Sequence, residues 1–561
     1  MIKQLKFFSI VLIMILCNAC ATYNTQINKV DLNGQFPNKE ISHTFYLIGD
    51  AGNSELGSSS IALQSFKNEL TRASNNSTAL FLGDNIYPKG LPKKRHENRI
   101  YAEHQLNVKT DAVKDYKGKT IFIPGNHDWY ANGLKGLKRQ EKYIENILGK
   151  NSFLPENGCP IEKVDINNEI VMIVIDSEWY LTNWDNHPTI NDNCEIRTRT
   201  KFFEELEGLI KKARGKTTLI ALHHPMFTNG PHGGQYDFKS HLKPIPVLGT
   251  LKNVLRKTTG VSPADLQHQK YNEFKKRVVT LAQENKKVVF MSGHEHSLQY
   301  LVQDNLPQII SGTGSKNTAT RNVDDHFSSS EAGYARLDVF KDGSSYVRFY
   351  AAKTNTIIYQ TTVLDPDQET KLSEFKSDFP SSVKASIYTQ KQITKSKAFI
   401  KFWGERYRKY YGTKVSAPTV NLDTLFGGLK PIRKGGGHQS KSLRLINKEE
   451  KQYVMRALRK SATIYLQAMA FKDQYIEDQF DDTYTESLLL DFYTGAHPYA
   501  PFTIGSLSDA VELYHSNPVL YYVPKQTALE GFNLEFGDEL YMIEEHASDG
   551  HGNLKSFGYA N

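Results

Sequence analysis

From His43 to about Leu364 the chain alternates short apolar runs with stretches of helical periodicity. The runs at 44–48, 79–82, 120–123, 170–175, 218–222 and 288–291 are rich in β-branched and aromatic residues, which predicts buried strands. Between them, 61–73 and 203–213 space their apolar residues as a helix does, with Phe203, Leu206 and Ile210 on one face. Alternation of strand and helix predicts an α/β layered core. Residues 333–340, 345–351 and 356–363 then read as three successive strands with short turns, an antiparallel edge that closes the domain. The pattern divides the chain into a first domain over 43–364, a charged and irregular linker over 365–384, and a second region over 385–561. Within that region 397–411 is aromatic, basic and helical in pattern, and 427–445 is Gly-rich and basic.

The first twenty residues follow a different pattern. Lys3 and Lys6 precede an apolar run from Phe7 to Leu16, too short to span a bilayer, which predicts a signal peptide over 1–19. Ala19 precedes Cys20 as in a bacterial lipoprotein cleavage site, although Cys17 stands where Leu is usual, so ordinary signal-peptide cleavage is the alternative. Cys20 is the expected lipidation site, and the polar stretch 20–42 the expected tether. The protein is then expected to be exported and lipid-anchored to a bacterial membrane, on its periplasmic or cell-surface side. Export favours a disulfide between Cys159 and Cys194, with two separate thiols as the alternative.

Composition narrows the class. Hydrophobic residues at 39% and charged residues at 23% exclude a disordered chain, and four cysteines exclude a disulfide-stapled scaffold. The formal charge of +8, lowered by two without Lys3 and Lys6, is weak for 561 residues and implies no nucleic-acid partner.

The chemistry lies just past each apolar run: Gly49-Asp50-Ala51-Gly52, then Gly83-Asp84-Asn85-Ile86-Tyr87, then Gly125-Asn126-His127-Asp128, then His223-His224-Pro225, and finally Gly293-His294-Glu295-His296. Loops leaving the C-terminal ends of parallel strands converge on one crevice. Carboxylates, an amide, a phenol and several imidazoles delivered to one rim are a metal-site inventory. The glycine before Asp50, Asp84, Asn126 and His294 lets the backbone turn sharply and approach closely.

These motifs resemble the calcineurin-like metallophosphoesterases, and more closely the purple acid phosphatases of the tartrate-resistant type. Ala51, where phosphatases of that type carry Trp, is a departure. The resemblance implies a layered β-sandwich flanked by helices over 43–364, with a second, mixed α+β region behind it. It implies that Asp50, Asp84, Tyr87 and His296 hold one metal and Asp84, Asn126, His223 and His294 a second. The metals would be Fe(III), favoured by the Tyr87 phenolate, with a divalent Fe, Zn or Mn. His224 is left to pack or hydrogen-bond. The implied activity is hydrolysis of phosphate monoesters, on a small molecule or a protein, by attack of metal-bound hydroxide. His127 would assist the leaving group, Asp128 would orient His127, and His232 would be a second active-site histidine. A phosphodiesterase or nucleotide hydrolase shares these ligands, and a surface interaction protein using the domain as a scaffold is the reading from another class. The basic stretch after Tyr87, with Lys89, Lys93, Lys94, Arg95 and Arg99, reads as a solvated loop or as a wider mouth for a larger anionic substrate.

The near match to a phosphate-binding loop at 435–442 carries Ser440 in place of its second glycine and runs into a strand-like segment, which predicts a basic β-hairpin instead. The second region is similar to the segment that follows the phosphoesterase domain in larger bacterial surface proteins bearing an outer-membrane barrel, and the chain reads as a shortened relative of these.

Overall fold

A computed structural model of the chain describes residues 20–28, 36–213, 215–322, 327–366, 375, 378–435, 439–476, 480, 483–513 and 515–546. The signal peptide expected over 1–19 lies outside them, as do 29–35 of the expected tether, 367–374 and 376–377 of the expected linker, and 436–438 of the Gly-rich segment. The chain divides into two compact units, residues 1–367 and 368–561.

The first unit is a sandwich of two mixed sheets. One sheet orders its strands Thr356–Leu364, Ser345–Ala351, Gly333–Phe340, Ile41–Ile48, Ser77–Phe81, Lys119–Phe122. The other runs Gln26–Ile27, Phe327–Ser329, Leu298–Gln303, Leu306–Ser311, Val288–Ser292, Thr217–Leu222, Ile170–Ile175, Ile161–Asp165. The six apolar runs read from sequence fall three to each sheet, in the layered β-sandwich that the resemblance implies. Within each trio the strands are parallel. Alternate side chains explain how both faces are buried. Phe45, Leu47, Leu80 and Leu82 meet Met172, Val174, Leu219 and Met291 between the sheets. Their neighbours Tyr46, Ile48, Phe81, Ile173 and Ile175 pack outward in the second core cluster, with helix residues such as Phe66, Leu106, Phe203 and Phe274. Each fully buried side chain of this size is worth about 1.5–3 kcal/mol of transfer free energy. The helices run Ile61–Leu70 and Arg199–Lys212, the first stopping three residues short of the expected 61–73.

The strands expected as a closing edge extend the first sheet. Gly333–Phe340 pairs antiparallel with Ile41–Ile48, and Ser345–Ala351 and Thr356–Leu364 follow outward. Within the tether expected over 20–42, residues 21–27 are held by backbone pairing. Ala21 donates its N–H to Tyr236 O, Thr22 exchanges hydrogen bonds with Thr320, and Gln26–Ile27 pairs with Phe327–Ser329. Cys159 and Cys194 are joined in a disulfide, with Cα atoms 5.6 Å apart.

The second unit contains a five-stranded antiparallel sheet, in the order Lys430–Lys434, Ser442–Ile446, Gln452–Ala457, Glu539–Glu545, Val519–Val523. Leu443, Leu445, Met455, Tyr541 and Ile543 are buried in its core. Lys430–Lys434 and Ser442–Ile446 form the expected basic hairpin. The helix expected over 397–411 is interrupted at Gly404, whose φ of 77° ends Lys397–Trp403 before Arg408–Gly412 begins.

Candidate metal centre and active site

The parallel strands of both sheets end at one rim, and there the motif side chains converge. Asp50 and Asp84 each lie beyond the end of a strand of the first sheet, and His223 and His294 beyond strands of the second. The sharp turns are taken by the candidate ligands themselves, since Asp50, Asp84 and His294 have φ of 57°, 53° and 66°. Such conformations cost free energy and persist where surrounding contacts enforce them. The glycines supply room. A Cβ on Gly83, itself at φ 88°, would come within 2.6 Å of the His223 ring, and one on Gly125 would collide with Asp84.

Asp50 is fully buried. Its Oδ1 accepts the Tyr87 hydroxyl at 2.8 Å, its Oδ2 accepts the His294 N–H at 2.8 Å, and His296 Nε2 lies 3.5 Å from Oδ1. Burial alone would raise this carboxyl, but His296, the His223 charge and the Tyr87 hydroxyl hold it below the usual carboxylate range. Tyr87 OH also lies 3.0 Å from His296 Nε2. Burial and the charges of Asp50 and Asp84 push the phenol well above its ordinary value. Asp84 Oδ1 accepts the His127 N–H at 2.9 Å and lies 3.4 Å from His223 Nε2. Asn126 turns its Oδ1 to His223 Nε2 at 3.2 Å and donates through Nδ2 to the Tyr130 hydroxyl at 2.7 Å.

Two histidine rings are oriented from behind by carbonyls. His223 Nδ1 donates to Leu82 O at 2.8 Å, and His294 Nε2 donates to Ala264 O at 2.9 Å. A carbonyl can only accept, so in the neutral rings His223 Nε2 and His294 Nδ1 carry the lone pairs, as metal ligands require. Burial would lower His223, but Asp84 and Asp50 raise it. His294 is depressed by burial and by the charges of His232, His224 and His223.

This donor set fits a metal cluster. Asp50, Asp84 and His223 each bring one ligand atom within 4.8 Å of the others. In the neutral ring, the His223 Nε2 lone pair faces two further acceptors, Asn126 Oδ1 and Asp84 Oδ1, at 3.2 and 3.4 Å. Acceptors facing one another in a buried site repel unless a proton or a metal cation lies between them. Hard oxygens with imidazoles suit Zn, Mn or Fe.

His127 and His232 lie beside this cluster, partly open to solvent. His127 Nδ1 donates to Pro88 O at 2.7 Å, which leaves Nε2 facing the centre, 3.9 Å from Asp84 Oδ2. The partner expected to orient His127 is therefore corrected from Asp128 to Pro88. Asp128 is buried and accepts the N–H groups of Gly125 at 2.8 Å and Asn85 at 3.1 Å, tying two ligand loops together. Burial and the Asp84 charge push it up to about 6. His232 Nδ1 lies 2.9 Å from Asp265 Oδ1, and Arg256 grips both oxygens of Asp265. The His232 ring lies against His294, with centroids 4.1 Å apart. His224 is buried with Nδ1 2.8 Å from Ser177 Oγ.

Some contributing residues carry no motif. Lys316, in the loop after Leu306–Ser311, holds its ammonium 3.1 Å from the Tyr87 ring centroid. It feels the charges of Asp84 and Asp50 and is lowered by burial. Its signal was Gly312-Thr-Gly-Ser-Lys316 after an apolar run, the same pattern as the other loops. Lys109 is fully buried and donates to Ala51 O, Asn85 O and Gln105 O at 3.2, 2.8 and 2.6 Å, bracing the Asp50 and Asp84 loops from below. Burial pushes its ammonium down to about 7. A lone helical lysine offers no signal of that role.

Residues 43–298 match the family of calcineurin-like phosphoesterases. No curated protein sequence matches the chain. Among solved structures, the chain is similar to GAP50, the anchor in the inner membrane complex of Plasmodium, at 15% identity over 59% of this chain and 90% of that one, with a TM-score of 0.39. It is also similar to the purple acid phosphatase PPD1 from yellow lupin seeds, at 12% identity over 59% of this chain and 55% of that one, with a TM-score of 0.36. PhoD matches at 11% identity over 58% and 70%, with a TM-score of 0.37.

Proposed function

Because residues 43–298 are a calcineurin-like phosphoesterase domain, we propose that this protein is a dinuclear-metal phosphomonoesterase. The observation that carries the reading is the facing set of lone pairs on His223, Asn126 and Asp84, with Asp50, Tyr87, His294 and His296 around it. Asp50, Tyr87 and His296 would hold one ion, Asn126, His223 and His294 the other, and Asp84 would bridge them. When bound, the metal pair supplies Lewis-acid charge to the phosphate oxygens and an acidified water as nucleophile.

The remaining chemistry belongs to the chain. His127 is held by Pro88 so that Nε2 is the atom that carries a proton towards the leaving oxygen. His232, braced by Asp265 and Arg256, presents Nε2 as a second donor to the phosphate. Lys316 adds a positive charge that favours the dianion of a monoester over the monoanion of a diester. The test is hydrolysis of p-nitrophenyl phosphate and of bis(p-nitrophenyl) phosphate by the full chain and by Asp84→Asn. Faster monoester hydrolysis, reduced at least about 1,000-fold by the substitution, is expected, as loss of several kcal/mol of metal stabilisation implies. Faster diester hydrolysis would overturn the substrate assignment, and activity retained by Asp84→Asn would overturn the metal reading.

A further inference from the structure

The segment between His232 and Asp265 folds as a helical hairpin whose apolar side faces solvent. It comprises the short helix Phe238–His241 and the longer helix Pro246–Thr259. With about 3.6 residues per turn, Leu248, Leu251, Val254 and Leu255 fall on one side of the longer helix and Gly249, Asn253 and Arg256 on the other. The second side is the one packed inward. Gly249 lies against the His241 and Lys243 carbonyls, Asn253 donates to Ser240 Oγ at 2.9 Å, and Arg256 binds Asp265. The apolar side is left open: Leu248, Leu251 and Leu255 are 49%, 50% and 47% exposed, and Phe238 and Ile245 continue the ridge at 52% and 55%. A helix that buries its small and polar face and exposes its leucines is built to meet something outside its own fold.

Charge identifies the occupant. From Phe238 to Ala264 there is no Asp or Glu, while exposed Lys239, Lys243, Lys252 and Lys257 accompany the ridge. Lys252 and Lys257 flank the leucine side of the longer helix. An apolar ridge fringed only by lysines complements an anionic lipid surface, where such helices lie with the leucines among the acyl chains and the lysines at the headgroups.

The N-terminus meets the same place. Ala21 donates its N–H to Tyr236 O at 3.0 Å and bridges Asp237, the residue that caps the first hairpin helix. Cys20, the residue expected to carry a lipid, is therefore next to the root of the hairpin. We propose that the 238–261 hairpin is a membrane-docking element that inserts its Leu248–Leu251–Leu255 ridge into an anionic bilayer beside Cys20. A lipid chain and a basic apolar patch together give the two signals that lasting attachment to a membrane requires. The docking does not depend on the hydrolytic chemistry proposed above.

The test reads the ridge itself, so that binding through the N-terminal segment cannot imitate it. Full-length Leu251→Trp is mixed with vesicles of brominated phosphatidylcholine, or of brominated phosphatidylcholine and phosphatidylglycerol in equal parts, and compared with the parent chain. A blue shift and quenching of the added tryptophan on the anionic vesicles is expected, in Cys20→Ser as well as in the parent background. Lys252→Glu with Lys257→Glu is expected to cut the quenched fraction by roughly tenfold or more. Circular dichroism checks that each variant is folded. A tryptophan that stays solvent-exposed on vesicles carrying bound protein overturns the proposal. So does one already shielded before lipid is added, whether by another part of the chain or by a second copy.

Discussion

In the 378–546 part of the chain the Asp491 carboxylate meets Arg408 through two hydrogen bonds, at 2.5 and 2.9 Å, and the same guanidinium also satisfies the Glu405 carbonyl. In the first unit the equally buried Asp50 and Asp84 meet no arginine or lysine at hydrogen-bond distance among the described residues; their nearest partners are imidazoles, backbone N–H groups and a phenol. Asp491 is closed by a complementary charge, as Asp338 and Asp265 of the first unit are by Arg336, Arg348 and Arg256, whereas Asp50 and Asp84 leave acceptor atoms converging on a common space. Closed pairs hold a fold together, whereas converging acceptors give up some stability to bind a cation. That contrast sets Asp50 and Asp84 apart from the closed carboxylates of both units.

The sharpest way to break it is to exchange the consequences. Asp84→Asn takes the negative charge away from the facing acceptors, so activity is expected to fall at least about 1,000-fold while the metal-free chain keeps or gains thermal stability. Asp491→Ala strands Arg408 and is expected to cost about 3–5 kcal/mol, seen as a lower urea midpoint, with the turnover of folded protein unchanged. An Asp84→Asn chain that unfolds, or an Asp491→Ala chain that is stable but inactive, would invert the assignment.

A smaller effect separates the ligands from the proton donor within the first unit. His127→Gln is expected to lower kcat about 100-fold or more on an alkyl phosphate and far less on p-nitrophenyl phosphate, whose leaving group needs no proton. An equal loss on both would make His127 a phosphate-binding residue. The smallest effect lies at the other end of the strand that leads to Asp50. His43, with Nε2 2.9 Å from Thr78 Oγ1, is lowered by burial to about 4. Between 6.5 and about 4 the unfolded chain binds the extra proton and the folded chain does not, so stability falls as pH drops through that window. His43→Gln should flatten this part of the urea-midpoint profile, and an unchanged slope would place the acid sensitivity elsewhere.

The ligand loops were legible because most combined two independent signals, an apolar strand and a Gly-flanked polar cluster at its end. Asp50, Asp84, Asn126 and His294 carried both, while His223 had the strand and a His-His-Pro run in place of the glycine. The division of the strands between two sheets came from the family resemblance and not from the hydrophobic pattern, because Phe45 and Tyr46 or Met172 and Ile173 are buried on opposite faces and leave no polar alternation to read. The docking of 21–28 was hidden for another reason: its strand pairing is made largely by backbone groups, which any polar sequence offers. Pro88 holds His127 through a carbonyl, which no side-chain pattern encodes, so Asp128 was the natural expectation from sequence. Lys109 and Asp265 act across the fold from a helix and a loop with no local motif, whereas Lys316 follows an apolar run and a Gly-rich turn as the ligand loops do. In the hairpin, Leu248, Leu251 and Leu255 have the spacing of core residues, and only their exposure reveals otherwise.

The central claim is that the acceptors around Asp84 hold metal. The most direct measurement is the metal content of the purified full chain after gel filtration, by elemental mass spectrometry, beside that of Asp84→Asn. Two ions per chain in the parent and one or none in the variant is the expected result. Equal content in both, or none in a folded parent supplied with iron, zinc and manganese, would contradict it.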